Sequence, residues 1–450
     1  MANSIAMRGG KDIERRSEPL GMTVTPLGNL PAEWQVEPLG NLASERIDRN
    51  PNLRFTRDNV LTVDNQLGLI RSDRKLGDDF SRYKLVEEHC FAYNPMRLNV
   101  GSIGLWEKPE PAIVSPDYIV FECSREKLLP QFLDFFRRTH AWRAQIQQSG
   151  QGSIRVRYYF RHIAEFIIPV PPLPEQRAIA HVLRTVQQAK EATEKVIAAT
   201  RQLKQSLMRH LFTYGPAPFA RADQVKLKEM EIGFVPEHWK VVPLKELLRE
   251  PLRNGHSARA THSDDGIRTL TLTAVTQNDF SIKNTKLTSA DPQRVRDMWL
   301  KRGDIFIERT NTPEYVGLAA IYEGEDNFAI FPDLLVRVRV NEKLIVPKFL
   351  AEFLITPVCR RYYQINAKAT AGNFPKIDQG IIEDTLIPLP PLPEQRQIAA
   401  QLASVAAKLA AEKARRDALD ALFHSLLHHF MTGKVRVHDL DLPAMKEDMP

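Results

Sequence analysis

IPVPPLPEQRAIA, residues 168–180, returns at 387–399 as IPLPPLPEQRQIA with two changes in thirteen positions. Working outward from this pair, other landmarks recur in the same order. GNLPAEWQVEPLGNL (28–42) aligns with GFVPEHWKVVPLKEL (233–247), which places Trp34 opposite Trp239 and Pro38 opposite Pro243. VSPDYIVF (114–121) lies opposite FPDLLVRV from Phe331, FLDFF (132–136) opposite FLAEF (349–353), and LMRHLFTYG (207–215) opposite LLHHFMTGK (426–434). Ordered recurrence over most of a chain marks a duplicated unit. Each unit reads as a variable body followed by a long helix.

The helix has local causes. Pro174 and Pro393 suit a first helical turn, where a missing N–H costs nothing. Glu175 and Glu394 follow, where a carboxylate favours the positive end of the helix dipole. In the first copy Ile179, Val182, Val186, Ala189, Thr193, Val196, Thr200, Leu203 and Leu207 step by threes and fours, the spacing of a coiled-coil seam. The second copy continues through Ile398, Leu402, Val405 and Leu409 to Leu419, Leu422 and Leu426, interrupted by the charged EKARRD (412–417). About 38 residues of helix make a rod of roughly 55 Å. The expected fold is α+β: two tandem globular domains and two long helices forming an antiparallel coiled coil about a pseudo-two-fold axis. The expected boundaries are an extension at 1–26, a first globular domain at 27–170, a helix at 171–213 and a linker at 214–230. A second domain follows at 231–389, a helix at 390–432 and a tail at 433–450.

Composition narrows the class. Of 450 residues 43% are hydrophobic and 26% charged, as in ordinary globular proteins. No apolar run could span a bilayer, and the N-terminal MANSIAMRGGKDIERRSEPLG has no apolar core of a secretory signal. Cys90, Cys123 and Cys359 are far apart, a sparse, odd set that fits a reducing cytoplasm. The formal charge is +7, compatible with a polyanionic partner.

Charge is also patterned locally. Residues 137–162 hold six arginines (137, 138, 143, 155, 157 and 161) and no acid, among Gln145, Gln147, Gln148, Tyr158 and Tyr159. Residues 353–377 hold Arg360, Arg361, Lys368 and Lys376, again without an acid, among Gln364, Asn366, Thr370 and Asn373. Arg and Lys neutralise phosphates, and Arg, Gln and Asn pair with base edges. Both stretches sit just before the PPLPEQR helix. A second candidate surface is the loop YNPMRLNVGSIG (93–104), opposite RTNTPEYVGLA (309–319). The candidate DNA contacts are Asn94, Arg97, Asn99, Arg143, Gln147, Arg155, Arg157 and Tyr158 in the first unit. In the second they are Arg309, Asn311, Thr312, Tyr315, Arg360, Arg361, Lys368, Thr370, Asn373 and Lys376.

Catalytic signatures are missing from the sequence. Tyr93-Asn94-Pro95-Met96 lacks the second proline and the aromatic of a methyltransferase tetrapeptide, and neither phosphate-binding glycine motif occurs. Pro116-Asp117 with Glu122 lacks the lysine of a nuclease site. His424 and His428 have ligand spacing but no third ligand in the sequence nearby. Trp34 and Trp239 read as core anchors. These readings leave a non-enzymatic protein without cofactor or metal; an enzyme, or a helical adaptor that binds no DNA, is the alternative.

The doubled IPLPPLPEQR element, the W-x-V-x-P-L opening, YNPMRLNVGSIG and the LMTG-like helix end resemble the specificity subunit of type I restriction-modification systems, over roughly residues 27–437. The resemblance implies two target-recognition domains, each reading one part of a bipartite asymmetric DNA site. It implies two antiparallel helices that fix the gap and dock modification (methyltransferase) subunits, with restriction subunits in the full complex. A specificity subunit of a related multi-subunit restriction-methylation enzyme is the nearby alternative. The docking and spacer elements carried onto this chain are Pro174, Glu175, Gln176, Arg177, Leu203 and Leu207, and Pro393, Glu394, Gln395, Arg396, Leu422 and Leu426. The first unit has GQGSIRVR where the second has AGNFPKI (371–377).

Overall fold

A computed structural model describes residues 21–64, 67–73, 77, 79–149, 157–368 and 374–437. The chain divides into two compact units that do not follow sequence blocks: residues 1–193 with 415–450, and residues 194–414. Each unit therefore holds one body, the first half of the long helix that follows it and the second half of the other long helix. The helices run Leu173–Tyr214 and Leu392–Met431, about 63 and 60 Å at 1.5 Å per residue. Among the described residues no helix is long and apolar enough to cross a membrane.

The first unit is built on a four-stranded sheet. Its strands β1 (Ala43–Arg46), β2 (Phe91–Tyr93), β3 (Ile103–Leu105) and β4 (Ile119–Cys123) lie in the order β1-β4-β2-β3. Its neighbours are antiparallel, with Phe121 opposite both Glu45 and Phe91. One face, with Phe91, Tyr93 and Phe121, packs on Phe132, Phe136, Trp142 and Ile168. The other, with Ala92 and Val120, faces a smaller core and a second four-stranded sheet. The second unit repeats the order as β5-β8-β6-β7, with β5 (Arg253–Asn254), β6 (Ile305–Glu308), β7 (Ala319–Ile321) and β8 (Leu335–Val338). Between its first two strands the second unit inserts different elements, a hairpin of Ile267–Leu270 with Thr285–Thr288 and short helices. The common frame is thus conserved between units while the insertion is not.

Each body is tied to its helix by the same contacts. A strand pair, Gln35–Pro38 with Ile167–Val170 and Lys240–Pro243 with Leu386–Leu389, brings the start of each body to the segment before its helix. The Trp34 indole donates to Glu175 Oε2 at 2.9 Å, and the Trp239 indole to Glu394 Oε2 at 2.9 Å. Gln176 donates to the Lys127 and Pro171 carbonyls at 2.8 Å and accepts from the Leu129 amide at 2.8 Å. Gln395 donates to the Leu344 and Pro390 carbonyls and accepts from the Val346 amide. Both glutamines have no exposed surface. Trp34 and Trp239 are buried anchors, as read from the sequence.

Expectations for the first helix and for both ends of the chain change. In the first helix the seam residues Ile179, Thr193 and Thr200 are buried as expected, but Val196 and Leu203 are 42% and 53% exposed, and Leu183 and Ile197, outside the expected seam, are buried. At both places the buried residue is the neighbour one position on, because adjacent apolar residues (Val182-Leu183, Val196-Ile197) satisfy either register. The tail is not wholly an appendage: Arg436 pairs with Glu175 at 2.6 Å and with Glu33 at 2.7 Å, and Val437 is buried in the first core. Likewise Met22–Thr25, placed in the N-terminal extension, pairs with Gly28–Pro31.

Replacing Gln176 or Gln395 by Ala strands one N–H and two carbonyls, one of the carbonyls (Pro171 or Pro390) in a buried bond. Each change is expected to lower unfolding stability by about 3 kcal/mol, read from urea denaturation; a loss below about 0.5 kcal/mol would show that the contact is incidental.

Candidate nucleic-acid interface

The loop after β2 is shaped from within. Asn94 Oδ1 accepts from the Met96 amide at 2.9 Å, Leu98 is buried, and Gly101 takes φ 87° to close the turn, a conformation that suits glycine. Arg97, Asn99, Met96 and Val100 are left exposed. The basic segment comes to this loop: the Tyr158 amide donates to the Pro95 carbonyl at 2.9 Å. Arg143 and Gln147 are exposed on the helix His140–Ser149, and Arg157 is exposed beside Tyr158. Two stretches separated in sequence form one surface.

The second unit makes the same juxtaposition with other residues. Its loop follows β6, and the helix Pro357–Asn366 holds it: Arg360 donates to the Val316 and Glu314 carbonyls at 2.6 and 2.8 Å, and Gln364 to the Pro313 carbonyl at 3.1 Å. The Ile377 amide donates to the Arg309 carbonyl, and Lys376 bridges to both Thr310 and Lys368 through the backbone. Gly317 has φ 72°, and a Cβ there would stand 2.6 Å from the Tyr363 side chain. Only glycine fits. Tyr315, Arg361, Gln364, Asn366, Lys368 and Phe374 are exposed around this loop.

The structure removes several sequence-level candidates from direct contact. Tyr158 is 4% exposed and donates to the Ile146 carbonyl, so it belongs to the core. Arg360 is spent on backbone carbonyls and supports the loop. Asn311 donates to Glu308 and accepts from the Thr312 amide at 2.7 Å, leaving little for a base. Asn94 is likewise committed to its own turn. Arg137 and Arg138 both pair with Asp134, an acid just outside the stretch that looked acid-free. Burial favours the neutral form of Asp134, but these two guanidiniums outweigh it and hold its carboxyl below the usual range. Gln176 and Gln395, carried over as partner-docking residues, are fully buried and face their own body. Arg155, Thr370 and Asn373 lie outside the described residues.

Other residues enter that the sequence did not single out. Glu308 has no exposed surface, accepts from Thr276 at 2.7 Å and from Asn311, and anchors the loop base. Burial raises its carboxyl above the ordinary range, only partly offset by those two donors. Asn254 and Gln379 join at 3.2 Å beside the Lys376 segment. The Gly255 backbone passes so close to the Phe331 carbonyl that a Cβ would lie 2.1 Å from it. Its Asn-Gly dipeptide was the available signal. Glu122, weighed as a nuclease carboxylate, pairs with Arg46 at 3.0 Å. Among the described residues no group of three His, Cys, Asp or Glu could hold a metal ion.

Comparison with known proteins places this geometry. The family model for the type I restriction modification DNA specificity domain matches residues 91–200 and 236–421. The chain belongs to that family. The EcoKI type I restriction enzyme specificity subunit of Escherichia coli is 24% identical over 398 residues, 82% of either chain. The MjaVIII specificity subunit of Methanocaldococcus jannaschii is 26% identical over 282 residues, covering 61% of this chain and 63% of that one. A chain of the same archaeon named for the MjaX type I restriction enzyme is 34% identical over 175 residues, 38% of this chain and 40% of its own. The matches thus span less than two thirds of the two M. jannaschii relatives. The fold is that of the type I restriction-modification S subunit from M. genitalium, with a TM-score of 0.56 at 14% identity, over 88% of this chain and 96% of that one.

Replacing Arg143 and Arg157 together by Ala is expected to weaken duplex binding about tenfold with an unchanged thermal midpoint. Arg360→Ala should instead lower the midpoint. Anisotropy with a labelled duplex and a thermal melt separate the two, and unchanged affinity in the double variant would remove Arg143 and Arg157 from the interface.

Proposed function

We propose that this chain is the DNA-reading subunit of a type I restriction-modification complex, non-catalytic on its own and without a cofactor. One observation carries the reading. In each unit an exposed turn after the second sheet strand meets a basic segment that precedes the long helix, on matching frames with unlike exposed residues. Matching frames with unlike surfaces suit a bipartite, asymmetric site, each unit reading one part. Arg97, Asn99, Arg143, Gln147 and Arg157 are the contacts we assign to the first unit. Arg309, Thr312, Tyr315, Arg361, Lys368 and Lys376 are those of the second. Guanidinium and ammonium groups hold phosphates, and amides and guanidiniums discriminate base edges.

The two long helices act in this reading as an antiparallel coiled-coil spacer that sets the gap between half-sites. In the first unit Lys190 of one helix pairs with Asp420 of the other, and Phe423 of the second helix packs against Phe135 of the body, which supports opposite helix directions there. Leu203 and Leu422 are exposed on the helices at 53% and 44%. Exposed leucines on both helices suit docking of two methyltransferase subunits, to which Arg177 and Arg396, exposed in the first turns of the helices, would add charge. Restriction subunits would join the assembled complex in the cytoplasm.

Duplex affinity of the chain with its methyltransferase partner, titrated against salt, tests the reading. The expected log–log slope is about −4 or steeper, from five or more neutralised phosphates. A slope near zero would leave a protein adaptor in its place.

A further inference from the structure

A cleft of about 670 Å³ opens in the second unit, lined by Glu250, Arg253, Arg296, Asp297, Trp299 and Lys301 together with Arg337 and Arg339. It lies away from the reading loop. That loop leaves β6 after Glu308, opposite Leu335, whereas Arg339 and Asp304 flank the other end of the β6–β8 pair, beyond Ile305 and Val338.

The electrostatics of the cleft are not closed. Arg337 and Arg339 have side chains 2% and 11% exposed, and both lean on one oxygen of Glu250, at 3.0 and 3.2 Å. Asp304 takes a second contact from Arg339 at 2.5 Å. Arg337 is otherwise satisfied by the Asp297 carbonyl, which carries no net charge. Asp297 faces both Arg253 and Arg296 at 3.6 Å, and Lys301 stands at the rim. Five cations therefore meet three carboxylates, and two of the cations are buried. Covered guanidiniums are costly unless fully paired, and burial together with the neighbouring Arg339 depresses the basicity of Arg337. The first unit has the reverse balance at its sheet, with Arg46 alone against Asp48, Glu87 and Glu122. The cationic excess is thus no requirement of the shared frame.

We propose that this cleft binds a phosphate group, held by Arg253, Arg296 and Lys301 at its mouth and by the Arg337–Arg339 pair at its floor. Its volume is in the range of small-molecule sites, and guanidiniums match phosphate oxygens in geometry and charge. The phosphate can come from a free nucleotide or from the DNA backbone beyond the reading face. The site goes beyond sequence reading, and its free-nucleotide form does not depend on it.

Calorimetric titration of the full chain with ATP, with inorganic phosphate and with a 12-base-pair random duplex tests the site. The exposed pair Arg296→Glu and Lys301→Glu should weaken binding at least about tenfold. Asp297→Asn removes a competing carboxylate and should tighten it several-fold, a gain that misfolding would not produce. An effect on ATP or phosphate assigns a free ligand, and an effect on the duplex alone assigns the DNA backbone. The Arg143/Arg157 double variant should still bind ATP, so failure of the DNA reading and failure of this site are told apart. Absence of saturable binding by all three probes, or affinities indifferent to these substitutions, would overturn the proposal.

Discussion

A glutamine side chain with no exposed surface, one residue after a Trp-bound glutamate, joins each body to the helix that follows it. Gln176 and Gln395 each close three hydrogen bonds to backbone groups, one of them fully buried in each unit. Among neutral side chains only an amide combines two N–H donors with a carbonyl acceptor. Because the contact is bonded on both sides, the direction in which the helix leaves the body is set by hydrogen-bond geometry, not by apolar packing alone. Everything that depends on helix direction, the course of a 42-residue rod included, inherits that constraint.

The two units solve the same problem of helix attachment with different closing pieces. Around Glu175 the C-terminal Arg436 completes the site, whereas around Glu394 the imidazole of His238 approaches at 2.9 Å. In the second unit the chain itself runs on from the first helix, with Gly215 against Trp239. In the first unit the corresponding place is filled by residues at the far end of the sequence, with Gly433 against Pro31. An ion pair there does the work that covalent continuity does in the other unit.

What could be read from the sequence follows the range of each force. The PPLPEQR repeat, the helices and the anchoring tryptophans were legible because they rest on local patterns that occur twice. The meeting of each loop with its basic segment was not, since it depends on backbone contacts such as Tyr158 to Pro95 across 63 positions. Neighbourhood in sequence therefore named stretches that the fold brings together, and within them several side chains that the fold engages internally. Tyr158, Asn311 and Arg360 have the chemistry of DNA contacts, yet each is consumed by its own unit. Asp134 shows the same limit from the other side: the acid that neutralises Arg137 and Arg138 lies just beyond the window in which charges were counted. Glu308 carried no signal, because a buried acid that organises a loop looks like any other acid in a linear string.

The central claim is a division of labour between a shared frame and two unlike reading surfaces. Exchanging residues 27–168 for the equivalent stretch of another family member, and mapping the methylated sites of the host genome, tests it most directly. The account predicts that one half of the recognised site changes while the other half and the gap remain. A change in both halves would contradict it.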